Sequence, residues 1–183
     1  MADRAVLLSV KPKYCELIAN GKKTVEVRKT NPKLNTPFKC YIYCTKDFYR
    51  AGDGYFQGKY CGTVIGEFVC DRIFPISVYY DNPNCKSALK EIPYVCLTDK
   101  QIIDYLGNGK KGYGWRISNL IIYEKPKELS ELKKFNRDCW YADLGLAKRD
   151  CPECNDANCF LSRPPQSWCY VEAVSNNDRI GNG

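Results

Sequence analysis

At 183 residues, 44% apolar and 13% aromatic, the chain is long enough for one domain with a real core, and global disorder is excluded. It contains no histidine, so Ser-His-Asp and Cys-His triads and histidine-held catalytic metals are out of reach within one chain. The net charge of +7 sits in residues 1–46, which hold ten Lys/Arg against three Asp/Glu, while the remainder balances to zero.

Basic charge gathered at one end favours an anionic partner, nucleic acid or nucleotide ahead of a membrane surface. Lysines outnumber arginines in that segment, which suits phosphate contacts better than bidentate reading of base edges. No apolar run approaches the roughly 20 residues that span a bilayer, and the apolar start at Ala5–Val10 is too short for a secretion signal. The expectation is a soluble, cytoplasmic protein whose acid–base chemistry, if any, uses carboxylates, Lys, Tyr or Cys.

Ala5–Val10 is rich in strand formers and reads as the first strand. Pro12 stands where a first helical turn accepts it, and Tyr14, Leu17 and Ile18 recur at helical spacing up to Gly21, a residue suited to the left-handed stop. Lys23–Arg28 then alternates, placing Thr24, Glu26 and Arg28 on one face and Val25 and Val27 on the other. After a turn-rich connector at Asn31–Pro37, Phe38–Thr45 reads as a third strand and Lys46–Lys59 as a mobile, glycine-rich loop. Tyr60–Phe74 is a long strand with bends expected at Gly62 or Gly66. A short helix is expected near Ser87–Ile92, and Thr98 is placed to cap a helix over Asp99–Leu106. Trp115–Tyr123 is a further strand, Pro126–Leu132 a turn or short helix, and Ser167–Ala173 the closing strand. This order predicts an α+β fold, a small mixed β-barrel with short flanking helices, spanning residues 1–175 with a polar tail at 176–183.

The front of the chain carries the densest chemistry. A helix starting near Pro12 offers unpaired N–H groups and a partial positive charge to an anion, with Lys11 and Lys13 flanking it. Lys23 follows the helix stop and leads the strand whose Glu26 and Arg28 share a face. Such a Lys–Glu–Arg set binds a base edge and a phosphate together, and a desolvated Lys becomes usable as a base. The bland alternative is an ion-paired barrel rim with no ligand.

The block Leu8-Ser9-Val10-Lys11-Pro12-Lys13-Tyr14 followed by Gly21-Lys22-Lys23-Thr24-Val25-Glu26-Val27-Arg28 resembles the signature of the ASCH family, a strand, a helix ending in Gly and a Lys-Thr-x-Glu-x-Arg-like strand. Gly62–Phe68 and Tyr113–Ile117 are similar to its later strands, and Arg163–Tyr170 to the end of phage and gut-bacterial members. The resemblance implies a PUA-like β-barrel and a nucleic-acid-binding role, RNA foremost, with single-stranded nucleic acid or a nucleotide as related ligands. It also implies an alternative, since some members are ribonucleases and one branch removes the acyl group from N4-acetylcytidine with a Lys, a Thr and a Glu. That catalytic Lys falls on Lys23, but its Thr falls on Glu26, and Thr24 is out of register. Binding therefore leads, and a hydrolase with Lys23 and Glu26 as catalytic residues is the rival.

On the binding reading, Ser9, Lys11, Lys13, Lys23, Glu26 and Arg28 line the cleft. Tyr113 and Trp115, two apart at a strand start, offer a stacking face of the kind PUA-like relatives use, and Trp115 is the preferred stacker. Core packing is the competing role for both.

Residues 138–163 form a cysteine-rich insert. Cys151-Pro152-Glu153-Cys154 is a C-x2-C pair, with Cys139 before it and Cys159 after it. Four thiolates close a tetrahedral structural zinc site and leave no open position for catalysis. Zinc on Cys139, Cys151, Cys154 and Cys159 is expected, with an unmetallated loop as the alternative, and a third possibility for the chain is a phage accessory protein that targets a host protein partner through this insert. Cys40, Cys44, Cys61 and Cys70 fall at core-like positions on strands.

Overall fold

The computed structural model describes residues 4–46, 49–51, 54–56, 60–77, 95–135 and 160–174. Strands β1 (Arg4–Val10), β2 (Val25–Arg28), β3 (Phe38–Cys44), β6 (Val64–Ile76), β7 (Gly112–Lys127) and β8 (Trp168–Glu172) make one mixed sheet in the order β2-β7-β6-β3-β1-β8. Only the β1–β3 pair is parallel; the other ladders are antiparallel. Strand β1 lies inside the sheet with both faces covered. Val6, Leu8 and Val10 enter one core cluster, and Ala5 and Leu7 enter another on the opposite face. That is why the run is apolar throughout rather than alternating.

Helix α1 (Pro12–Ala19) begins with Pro at its first position and turns Cys15 and Ile18, three residues apart, onto the main cluster. It stops as expected. Gly21 takes φ +68°, and its N–H donates to the carbonyl of Ile18. Helix α2 (Asp99–Leu106) is closed at its start by a full capping box, in which Thr98 accepts from the Gln101 N–H and Gln101 returns a bond to the Thr98 N–H. Its Ile102, Ile103 and Leu106 pack on Val25, Val27, Ile76 and Val95 in a third cluster. The period-two split of β2 thus hands its valines to α2 and its charges to the other side.

The α+β expectation holds, with two refinements. The curved sheet does not close by a ladder between β2 and β8 among the described residues. Side chains join those edges instead: Arg28 Nη1 donates to the Ser167 carbonyl at 3.3 Å, and Trp168 Nε1 donates to Thr30 Oγ1 at 3.0 Å. The stretch expected as a loop over Lys46–Lys59 contains a small antiparallel hairpin, β4 (Tyr49–Ala51) with β5 (Gly54–Phe56). Its glycine and aromatic content resembles that of a loop in the sequence.

Strand β6 shifts register between Val64 and Gly66, as the glycine foretold; a Cβ there would overlap the carbonyl oxygen of Ile121. A single 3-10 turn at Leu129–Glu131 stands in the predicted turn or helix. Cys40, Cys44 and Cys70 are buried as expected, while Cys61 is half-buried. The expected helix at Ser87–Ile92, the insert at 138–159 and the tail after 174 lie outside the described residues.

Candidate functional site

A cleft of about 540 Å³ opens between the end of β1, the start of α1, strand β2 and the polar face of α2. Its floor is ionic. Glu26 Oε1 lies 3.1 Å from Arg28 Nη2, and Glu26 Oε2 lies 3.5 Å from Lys23 Nζ. The three side chains are only 10%, 7% and 2% exposed for Glu26, Arg28 and Lys23. Burying charge is costly unless each group finds partners, and here most do. Lys23 Nζ donates to the Val95 carbonyl at 2.6 Å and stands 5.3 Å from the centre of the Tyr14 ring. Arg28 Nη2 donates to the Ser9 carbonyl at 2.7 Å, and Ser9 Oγ donates to the Pro165 carbonyl at 2.6 Å.

Two atoms of the floor are left over. Glu26 Oε2 is in ion-pair range of Lys23 but accepts no hydrogen bond among the described residues. Arg28 Nε likewise finds no hydrogen-bond partner there, and both atoms are shut off from solvent.

The electrostatics follow from burial. Desolvation pulls the Lys23 ammonium below its ordinary pKa, and the facing Glu26 carboxylate only partly restores it. Burial, then the same carboxylate, pushes the Tyr14 phenol up, so Tyr14 stays a neutral O–H at the cleft wall. Around this floor the rim is wet and mixed: Lys11, Thr45, Gln101, Asp104, Tyr105 and Gln166. Tyr105 is 38% exposed, and Lys29 Nζ stands 5.1 Å from its ring centre.

Of the residues singled out from the sequence, Ser9, Lys11, Lys23, Glu26 and Arg28 converge on the cleft. Lys13 does not. It is exposed on α1, beside the Tyr14 ring, and lines no part of the cavity.

Tyr113 and Trp115 do not line it either, which corrects the stacking expectation. Trp115 is fully buried, edge-on to Phe38 with ring centres 5.9 Å apart and tilted against Trp168 at 6.1 Å. Pairing of Trp115 with Glu26 and of Tyr113 with Arg28 puts these aromatics on the neighbouring strand, and Trp115 faces the main core. The indole is too large an apolar surface to leave wet when the sheet curves over it.

The aromatic members of the cleft are instead Tyr14 and Tyr105. The sequence carried a faint sign of the second: Gln101, Asp104 and Tyr105 recur at i, i+3 and i+4 on the polar face of α2. Nothing in the sequence said that this face meets the front of the chain. Cys139, Cys151, Cys154 and Cys159 lie outside the described residues, and no cluster suited to a metal occurs among those described.

An α+β sheet with one short helix at the front and a charged cleft beside it defines the class of protein. The ASCH domain family model matches residues 8–73, the stretch that runs from the end of β1 through α1 and β2 to β5 and into most of β6. The later strands and the 163–170 segment fall outside the matched stretch. The fold is similar to that of ASCH from Zymomonas mobilis, with TM-score 0.51 and 19% identity over 96% of this chain and 90% of that one. A serine-to-alanine variant of that protein gives TM-score 0.52 at 18% identity, covering 98% and 94% of the two chains. A tyrosine-to-phenylalanine variant gives 0.50 at 19% identity, covering 96% and 93%. No curated protein matches the chain. No helix among the described residues is long and apolar enough to cross a membrane.

Proposed function

We propose that the chain is a nucleic-acid- or nucleotide-binding module whose cleft takes a single base, RNA foremost. The observation that carries this reading is the buried Lys23–Glu26–Arg28 set at the floor of a cavity walled by two tyrosines. A carboxylate there accepts from a base amino or imino group. Lys23 and Arg28 hold it in place, while Tyr105 offers a π-face at the mouth. Lys11 and the N-terminal turn of α1 stand on the rim, where a sugar-linked phosphate would lie. The ASCH model match and the basic front of the chain support the same direction.

The rival hydrolase reading draws on the lowered pKa of Lys23. Its Nζ, however, spends a hydrogen bond on the Val95 carbonyl at 2.6 Å and faces a carboxylate. That is the arrangement of a positioning cation rather than of an available base.

The test uses fluorescence anisotropy with labelled single-stranded RNA and DNA of mixed sequence, over a range of salt, together with N4-acetylcytidine incubations followed by chromatography. The expected result is RNA retention that weakens as salt rises and is lost in Glu26→Gln, with the nucleoside unchanged. Turnover that vanishes in Lys23→Ala makes the protein a hydrolase instead. Absence of binding to either polymer at low salt removes the nucleic-acid reading.

A further inference from the structure

Behind the cleft, on the far side of α1, three thiols meet. Cys44, the last residue of β3, places its Sγ 3.9 Å from the Sγ of Cys61, in the turn that leads to β6. Two backbone bonds hold the two segments side by side: the Gly62 N–H donates to the Cys44 carbonyl at 2.7 Å, and the Cys44 N–H to the Thr63 carbonyl at 2.9 Å. Cys15 of α1 is the third member; its thiol donates to the Val10 carbonyl at 3.5 Å and touches Cys44. Cys15 and Cys44 also line a second cavity of about 230 Å³, between α1 and the sheet, with Tyr60 and Ile65 in its walls. Cys61 is half-buried and reachable from outside, whereas Cys15 and Cys44 are buried. Contact with Cys44, and then burial, pushes the Cys15 thiol far up, which keeps it protonated and unreactive.

We propose that Cys61 and Cys44 form an oxidant-responsive pair that closes into a disulfide, with a small hydroperoxide as the oxidant. Cys61, the accessible member, attacks the hydroperoxide: an S–O bond forms, the O–O bond breaks, and the alcohol or water leaves with the thiol proton. The resulting sulfenic acid is attacked by Cys44; the S–S bond forms, the S–O bond breaks, and water leaves with the second thiol proton. Two electrons pass from the sulfurs to the peroxide oxygen. The sulfurs need approach by only roughly 1.9 Å to reach bonding distance, a movement that side-chain rotation supplies. A dithiol reverses the bond by exchange.

The consequence reaches the cleft. Thr45, next to Cys44, lines it, and the Thr45 N–H donates to the Val10 carbonyl at 2.9 Å. The crosslink ties both ends of the stretch that carries β4 and β5, fixing the segment that enters this wall.

The experiment treats the full chain with sub-stoichiometric hydrogen peroxide, blocks remaining thiols, digests with trypsin and maps linked peptides by mass spectrometry. Cleavage at Lys39, Lys46, Lys59 and Arg72 gives one peptide with Cys40 and Cys44 and another with Cys61 and Cys70. The expected result is that these two peptides become linked before any other pair among the described cysteines. The link disappears in Cys44→Ser and in Cys61→Ser, persists in Cys40→Ser, and is removed by dithiothreitol. Cys61→Ser lies in a half-buried turn and keeps the assay interpretable if Cys44→Ser unfolds. A link that survives either Cys44→Ser or Cys61→Ser, a first bond to Cys15, or both thiols still alkylated after oxidation overturns the proposal.

Discussion

Removing the Glu26 carboxylate tests the cleft floor most directly. In Glu26→Ala two buried cations, Lys23 and Arg28, lose the anion between them. At the distances of 3.5 and 3.1 Å, and with an effective dielectric constant of about 20, each attraction is worth about 5 kcal/mol before desolvation is counted. Most of that gross attraction is offset by taking the charges out of water. The net cost of removing one partner of a buried pair, leaving the other uncompensated, is about 3–5 kcal/mol. Small domains are stable by only about 5–15 kcal/mol, so this is a large share. With a urea dependence of about 2 kcal/mol per molar, the unfolding midpoint falls by about 2 M. A second substitution discriminates the cause. Lys23→Met in the Glu26→Ala background takes away one orphaned cation and recovers part of the loss, so the two changes are strongly non-additive. Urea melts followed by circular dichroism on the four proteins of this cycle give the answer. A midpoint shift for Glu26→Ala below about 0.5 M, or additivity of the two changes, refutes the idea that one carboxylate holds both cations.

Three further outcomes follow from the same geometry. Tyr105→Ala leaves the melting curve within about 0.5 kcal/mol of the parent, because the ring is partly exposed, but weakens RNA binding by about 1–3 kcal/mol, read by anisotropy. Trp115→Ala does the reverse of a binding-site change: it costs about 3–5 kcal/mol of stability in a urea melt, because a fully buried indole leaves a void against Phe38 and Trp168.

The third outcome concerns pH. The folded pKa of Lys23 is lowered, so between that value and 10.5 the unfolded chain holds more protons than the folded one. The contribution of Lys23 to stability therefore rises with pH across that window. The stability of the parent minus that of Lys23→Met, measured by urea melts at a series of alkaline pH values, climbs toward pH 10.5. A flat or falling difference contradicts the burial of the ammonium.

Much of the architecture was legible from local rules. Pro12, Gly21 and the helical spacing of Tyr14, Leu17 and Ile18 mark α1, and Thr98 marks the start of α2, because caps are local chemistry that neighbours in sequence complete by themselves. The alternation in β2 correctly separated Val25 and Val27 from Glu26 and Arg28. Period two fixes which residues share a face whatever the strand is paired with. On that basis five of the cleft residues, Ser9, Lys11, Lys23, Glu26 and Arg28, were recognisable before any fold was known.

What the sequence could not settle is which face meets what. Trp115 at a strand start serves equally as a stacking wall or a core residue, and only the curvature of the sheet over Phe38 and Trp168 makes it core. The wall role passed to Tyr105, about seventy-five residues beyond β2, because α2 docks its apolar stripe on the valines of β2 and so turns its polar stripe to the cleft. The partners of the buried charges are carbonyls of Ser9, Val95 and Ser167, groups that every residue owns and that no side-chain pattern can announce. Residue types and their periods determined the elements and the charge they carry. Long-range packing alone decided that Glu26 is held between two cations in the lining of an open cavity, since only contacts across the chain determine how far a charge is withdrawn from water.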